Sequence, residues 1–259
     1  MRFEHLLDAF TADPWAIQRE KLGVLADILV ARAEGEKLFS TEFAAAVSEA
    51  RANEIAETDG TVAAIPIYGV LADKMDAFSA MSGGTSYAGI KGALYKALSN
   101  DDVKAVVLDI DSPGGSVPGT EELSNEIRAV RGGEKPIIAQ VNKLAASAAY
   151  WIAASADEIV VSPSGRAGSI GVYTAHDDVS AALEKRGIKR TYISAGKHKV
   201  EGNKTEPLGK DTLAHIQDSV NHSYGRFVAA VAEGRGTTVG KVEDGFGQGK
   251  VLVTPFGMA

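Results

Sequence analysis

Apolar positions along the chain follow two regimes that change over near residue 60. In residues 1–58 they recur at helical spacing. Ile17, Leu22, Leu25, Ile28 and Leu29 suit one face of a helix, and Thr41 ahead of Glu42, Phe43 and Ala44 to Ala46 reads as a second helix start. This stretch is expected to be a helical N-terminal appendage, a packing element or an oligomer contact. Residues 54–61 read as a polar linker ending in the turn signal Asp59-Gly60.

From residue 59 to 259 the pattern alternates between short apolar runs and amphipathic segments. Strands are expected at 62–70, 105–110, 136–141, 158–161, 171–174 and 189–194. Helices are expected at 86–98, 121–131, 147–156, 179–186 and within 208–233. Gly132-Gly133 would end the second of these helices. Strands alternating with helices argue for an α/β domain of βαβ units around a mainly parallel sheet. The short apolar strands suit a sheet covered on both faces.

Composition narrows the picture. The chain has 259 residues, enough for one large domain and an appendage at roughly 150 residues per domain. Apolar residues at 45% and charged residues at 24% exclude a disordered chain. A net charge of −7 argues against a nucleic-acid coat or a polybasic membrane binder. Cysteine is absent, so there is no disulfide, thiolate metal site or cysteine nucleophile, which fits a reducing compartment. No metal or other cofactor is expected. No run approaches 18 consecutive apolar residues, and Met1-Arg2-Phe3-Glu4-His5 does not read as a secretory signal, so neither a transmembrane segment nor a signal peptide is expected.

Two segments could carry chemistry. Asp111-Ser112-Pro113-Gly114-Gly115-Ser116 leaves a strand and precedes a helix. Its paired glycines would let backbone N–H groups approach a ligand and hold a developing anion. The same segment also reads as an ordinary strand-to-helix turn, and its spacing is neither that of a P-loop nor GxGxxG. In the second segment Ser147 stands among alanines at the start of a helix. It is either an N-cap or a nucleophile. A nucleophile needs a base, and no G-x-S-x-G elbow surrounds this serine. Of His5, His176, His198, His215 and His222, His176 with Asp177 and Asp178 could supply base and orienter, but adjacency in sequence is not triad geometry. Lys197 and Lys199, between Gly196 and Gly202, are the other candidates, because burial lowers a lysine pKa toward the range of a general base. On residue chemistry alone they read equally well as a solvated loop.

Taken together, four pieces in order resemble the serine peptidase family of signal peptide peptidase A and the phage protein C head-maturation proteases. These are Val107 to Ser116, Leu144 to Trp151, Gly168-Ser169-Ile170-Gly171-Val172, and Gly196 to Gly202. The resemblance covers roughly residues 60–250. It implies a Clp/crotonase-like βαβ spiral and a Ser/Lys dyad, with Ser147 as nucleophile and Lys199 as general base. It makes Gly114, Gly115 and Ala148 candidate backbone donors to the oxyanion, Gly114 being the weaker glycine, and Ser169 a candidate for orienting the lysine. The implied activity is endopeptidase cleavage through an acyl-enzyme, in a ring-like homo-oligomer.

Within the family, the N-terminal pieces His5-Leu6-Leu7 and Pro14-Trp15-Ala16-Ile17 resemble phage and prophage members. The expectation is a protease of the bacterial cytoplasm or phage prohead that acts on scaffold or capsid-associated proteins, with portal and capsid proteins as further partners. The alternatives are a bacterial signal-peptide-peptidase-like cytoplasmic protease, a non-enzymatic capsid assembly protein with a decayed site, and an acyl-CoA enzyme on the same fold. Two features depart from the family pattern. Asn203 is followed by Lys204, where a proline is expected, and Thr254 to Ala259 stand where relatives continue into a final helix, which reads as a shortened or altered C-terminal end.

Overall fold

The computed structural model describes residues 14–18, 57–73 and 84–253. Most of the appendage read in residues 1–58 and the end read at 254–259 therefore lie outside the described residues.

The strands are β1 (Trp15–Ile17), β2 (Glu57–Asp59), β3 (Val62–Ala72), β4 (Thr85–Ser86), β5 (Ala105–Ser116), β6 (Ile137–Ala146), β7 (Glu158–Val161), β8 (Arg166–Gly168) and β9 (Val251–Val253). The helices are α1 (Tyr87–Leu98), α2 (Thr120–Val130), α3 (Ala148–Ala153), α4 (Ser180–Lys185), α5 (Lys210–Gly234) and α6 (Val239–Gly245). Among the described residues the strands form one nine-stranded sheet with the path β2-β3-β5-β6-β8-β9. The pairs β3–β5, β5–β6, β6–β7 and β6–β8 are parallel, and β1, β2 and β9 join antiparallel. The α/β architecture of βαβ units around a mainly parallel sheet is thus the one expected.

Local sequence accounts for the helices that flank the site. Ser86 caps α1, its side chain accepting from Gly89 N–H at 3.0 Å, and Ile90 and Leu94 face inward. Glu121 and Glu122 place negative charge in the first turn of α2, where the helix dipole favours it. Helix α3 has no polar face, and all six of its residues are buried. It packs on one side against Ile67, Leu108, Ile110 and Val141 of the sheet core. On the other side Trp151 stacks on Phe227 of α5, with ring centroids 4.6 Å apart and planes 7° from parallel.

Several expectations change. Ile17 belongs to a strand rather than a helix face, because it pairs with Gly114 across β5. The segment 111–116 is the extended end of β5, and the following helix starts only at Thr120. Residues 171–174 form no strand beyond a single bridge from Tyr173 to Trp15, while 166–168 do form one. Residues 189–194 form no strand, and Ile193 within them is 98% exposed. Among the described residues the sheet is covered tightly on one face. Burial alternates along β3 and the first half of β5, and the open face carries a polar ladder. There the Tyr68 hydroxyl donates to Asp109, Asn142 Nδ2 donates to Asp109 at 2.9 Å, and Ser162 donates to Asn142 Oδ1 at 3.3 Å.

Candidate active site

Ser147 is the joint between β6 and α3. Its backbone sits at φ 57° and ψ −120°, a region that costs a non-glycine residue strain, and its side chain makes no capping bond. The plain N-cap reading therefore does not describe it. The chain is held in this sharp turn from both sides. Ser147 N–H donates to Gly168 O at 2.8 Å, and its carbonyl accepts Trp151 N–H at 2.9 Å. Alanines at 145, 146, 148 and 149, all fully buried, leave no side chain to oppose the tight packing. A strained strand-to-helix turn thus exists here without the glycines of the G-x-S-x-G pattern. The residue is 1% exposed, and its Oγ donates to Gly171 O at 3.3 Å.

The glycine segment lies directly against this serine. The registers of β3 and β5 both shift, at Tyr68/Val70 and Ile110/Ser112, and Ser112 Oγ ties the bent strands by donating to Gly69 O at 2.6 Å. Gly114 takes φ 102°, and a Cβ there would stand 3.0 Å from Ser147 Cβ and 2.2 Å from the Ala16 carbonyl oxygen. A Cβ on Gly115 would stand 1.9 Å from Leu71 O, so only glycine fits. The Gly114 N–H is donated to Ser112 Oγ at 3.2 Å. Ala148, as the first residue of α3, has an N–H with no acceptor in its own helix.

Residues 14–18 lie along this edge. Gln18 N–H donates to Pro113 O at 3.0 Å and Val117 N–H to Pro14 O at 3.2 Å. In an antiparallel ladder bonded pairs alternate, so the intervening pair Ala16↔Gly115 takes the bonding position and Gly115 N–H faces Ala16 O. On the opposite side Trp15 and Tyr173 exchange both backbone bonds, at 2.9 and 3.1 Å. A cleft of about 600 Å³ adjoins, lined by Ile17, Gln18, Ser169, Gly171, Gln248 and Val251 among others.

The structure gathers Ser147, Gly114, Gly115, Ala148 and Ser169 but does not bring Lys199 to them. Ser169 follows β8 as Ser147 follows the paired β6, also at positive φ (56°), and its N–H donates to Lys250 O at 2.8 Å. Lys199 is exposed in a turn closed by its N–H to Gly196 O at 3.2 Å. Among the described residues no hydrogen bond joins it to Ser147. In the same turn His198 Nδ1 bonds Glu201 at 2.7 Å, which holds the Glu201 carboxyl below its usual range. His176 bonds Asn203 O at 3.1 Å, and Asp178 accepts from Ser180 N–H at 2.9 Å, which lowers its pKa. His176 and Asp178 are thus engaged by neighbouring backbone groups. Gly171, Ser112 and Tyr173 escaped the sequence reading as site residues. Gly171 lay within a recognised motif, but its carbonyl's role depends on where β6 and β8 meet.

Comparison with known proteins agrees with this layout. Residues 129–254 match the model of Peptidase family S49. Capsid assembly protease C of Escherichia phage lambda is 36% identical over 183 residues, covering 71% of this chain and 42% of that protein. Head-tail preconnector protein GP5 of Enterobacteria phage P21 is 34% identical over 181 residues, covering 70% and 36%. Protease 4 of Salmonella typhi is 31% identical over 237 residues, covering 88% and 37%. The chain thus spans about two fifths of the length of these curated relatives. Residues 129–254, which hold Ser147 and the turn of Lys199, thus carry the sequence of peptidase family S49.

Proposed function

We propose that this chain is a serine endopeptidase acting in phage or prophage head maturation on scaffold or capsid-associated proteins. The observation that carries the reading is Ser147, a buried hydroxyl in a strained strand-to-helix turn beside paired glycines. Names among the relatives, a capsid assembly protease and a head-tail preconnector protein, support the phage setting.

In the proposed reaction a neutral Lys199 amine takes the Ser147 proton as Oγ attacks the peptide carbonyl. Gly115 and Ala148 N–H groups hold the oxyanion, while Ser169 orients the amine. Gly114 is the lesser donor, since Ser112 already engages its N–H. The protonated lysine passes its proton to the leaving amine, and the acyl-enzyme is hydrolysed by water that the same amine activates. Lys199 begins exposed. The turn that carries it must pack against a protein surface, its own or that of another copy, before the amine is desolvated enough to act as a base. A homo-oligomer meets that need.

The test is cleavage of a candidate scaffold protein by purified variants. Ser147→Ala and Lys199→Ala should each lose at least about a thousandfold in rate. Lys199→Arg should be equally inactive, because a guanidinium does not give up its proton. Lys197→Ala should keep most activity. Full activity in either dyad variant would sink the reading.

A further inference from the structure

We infer that residues 14–18 are an internal strap that fills the peptide groove beside Ser147 and keeps the chain latent until it is displaced. The inference takes the peptidase reading as its basis and adds a regulatory element to it.

A strand at a sheet margin ordinarily bonds on one side and leaves the other open. This one is bonded on both. Pro14 and Gln18 bond β5, and Trp15 bonds Tyr173 on the far side. The segment therefore closes a slot between two backbone edges that both adjoin the serine. An extended peptide adds to such edges through main-chain bonds, the ordinary mode of strand addition. The strap does so with its Ala16 carbonyl against Gly114 and facing the Gly115 N–H. That is the position a scissile carbonyl needs if Gly115 is an oxyanion donor. One N–H and one slot cannot serve Ala16 and a substrate together, so a substrate enters only when the strap leaves.

The strap is suited to leaving. It is short, and its anchoring side chains in the groove are Ala16 and Ile17, 0% and 3% exposed. Residues 19–56 separate it from β2 in sequence, and the β2–β3 pairing does not depend on it. A tethered competitor of this kind acts at an effective concentration on the order of millimolar, so it excludes weak substrates and yields to strong or locally concentrated ones. Substrates packed densely with the enzyme would meet that condition.

Locking and releasing the strap in the full chain tests this. The chain has no cysteine, and Trp15↔Ser116 is a non-bonded antiparallel pair whose Cα spacing of about 4.5 Å suits a disulfide. The Trp15→Cys, Ser116→Cys double variant should lose at least tenfold in peptidase rate on oxidation and recover it on reduction. Ser116→Cys alone should ignore the oxidant. Ala16→Pro and Ile17→Asp should release the strap and raise kcat/KM several-fold. Binding is read separately, by fluorescence anisotropy of a labelled peptide of residues 12–20. The release variants should bind it at least tenfold more tightly than the parent or the oxidised double variant. Equal binding by all forms, or equal and measurable rates in the locked and reduced states, overturns the strap. If the peptide binds only released forms but no form cleaves protein, the strap stands and the peptidase reading fails. If every form cleaves alike, the peptidase reading stands and the strap fails. Should the release variants not fold, the double variant compared with itself, oxidised and reduced, still decides.

Discussion

At the scale of single residues, Ser147 accepts backbone strain in exchange for a position. Its φ of 57° would suit glycine, yet only a hydroxyl could act there. Ser147→Gly should therefore be more stable than Ser147→Ala by about 1–2 kcal/mol, with both inactive, as thermal denaturation alongside a cleavage assay would show. Equal melting temperatures would mean that the turn is relaxed. Gly115 is constrained differently, by the Leu71 carbonyl 1.9 Å from where a Cβ would stand. Gly115→Ala should push β3 and β5 apart and remove activity even if the protein still folds. The residue types at these positions were legible in the sequence. The strain at Ser147 was not, because it comes from β6, β8 and α3 meeting at one residue.

At the scale of elements, α3 positions the serine and α5 backs α3. Phe227→Ala would remove the ring that stacks on Trp151 and leave a cavity in that cluster, at a cost of about 3–5 kcal/mol in chemical denaturation. The loss of activity should exceed what the unfolded fraction explains, since α3 loses its support. Nearer the groove, the Tyr87 hydroxyl donates to Ser116 O at 2.7 Å and accepts from Thr120 at 2.7 Å, and burial pushes its pKa up. Tyr87→Phe should cost about 1–3 kcal/mol, because the bond that ties the end of β5 to α1 is lost. In the turn of Lys199, His198 holds the Glu201 carboxyl down. A depressed carboxyl stabilises above its unfolded pKa, about 4.3, and that contribution fades as pH falls through the lower folded value. An NMR titration of Glu201 should have its midpoint below about 4.3, and Asn203 and Lys199 amide shifts should follow it. A midpoint at or above that value would mean the His198 bond does not form in solution.

At the scale of the whole molecule, the core and the lysine turn are built differently. The serine side is packed among fully buried alanines, whereas residues 186–200 are largely exposed. Among the described residues Ile193, 98% exposed, and Ile188, 48% exposed, are apolar groups that face outward. Ile193→Asp should leave the melting temperature within about 2 °C of the parent, as for a surface change. On the proposed assembly it should reduce the oligomer in sedimentation velocity and lower activity per chain with it. An unchanged oligomer would place the contact elsewhere. Among the described residues no helix is long and apolar enough to cross a membrane.

The sequence by itself determined most of the elements and offered candidates for the chemistry they carry. Period-2 and period-3.6 patterns placed β3, α1, α2, β7 and α5 within a few residues, because local side-chain spacing fixes such elements, and four motifs in order carried the family resemblance. Only the tertiary structure decided what lies next to what. Ile17 fits a helix face by spacing, but its segment is a strand because its backbone N–H and C=O groups bond β5 and Tyr173. Residues 189–194 read as a strand in sequence, yet among the described residues they join no sheet. Backbone hydrogen bonds between distant segments leave little trace in sequence periodicity, and the groove beside Ser147, with the strap that fills it, is made of such bonds.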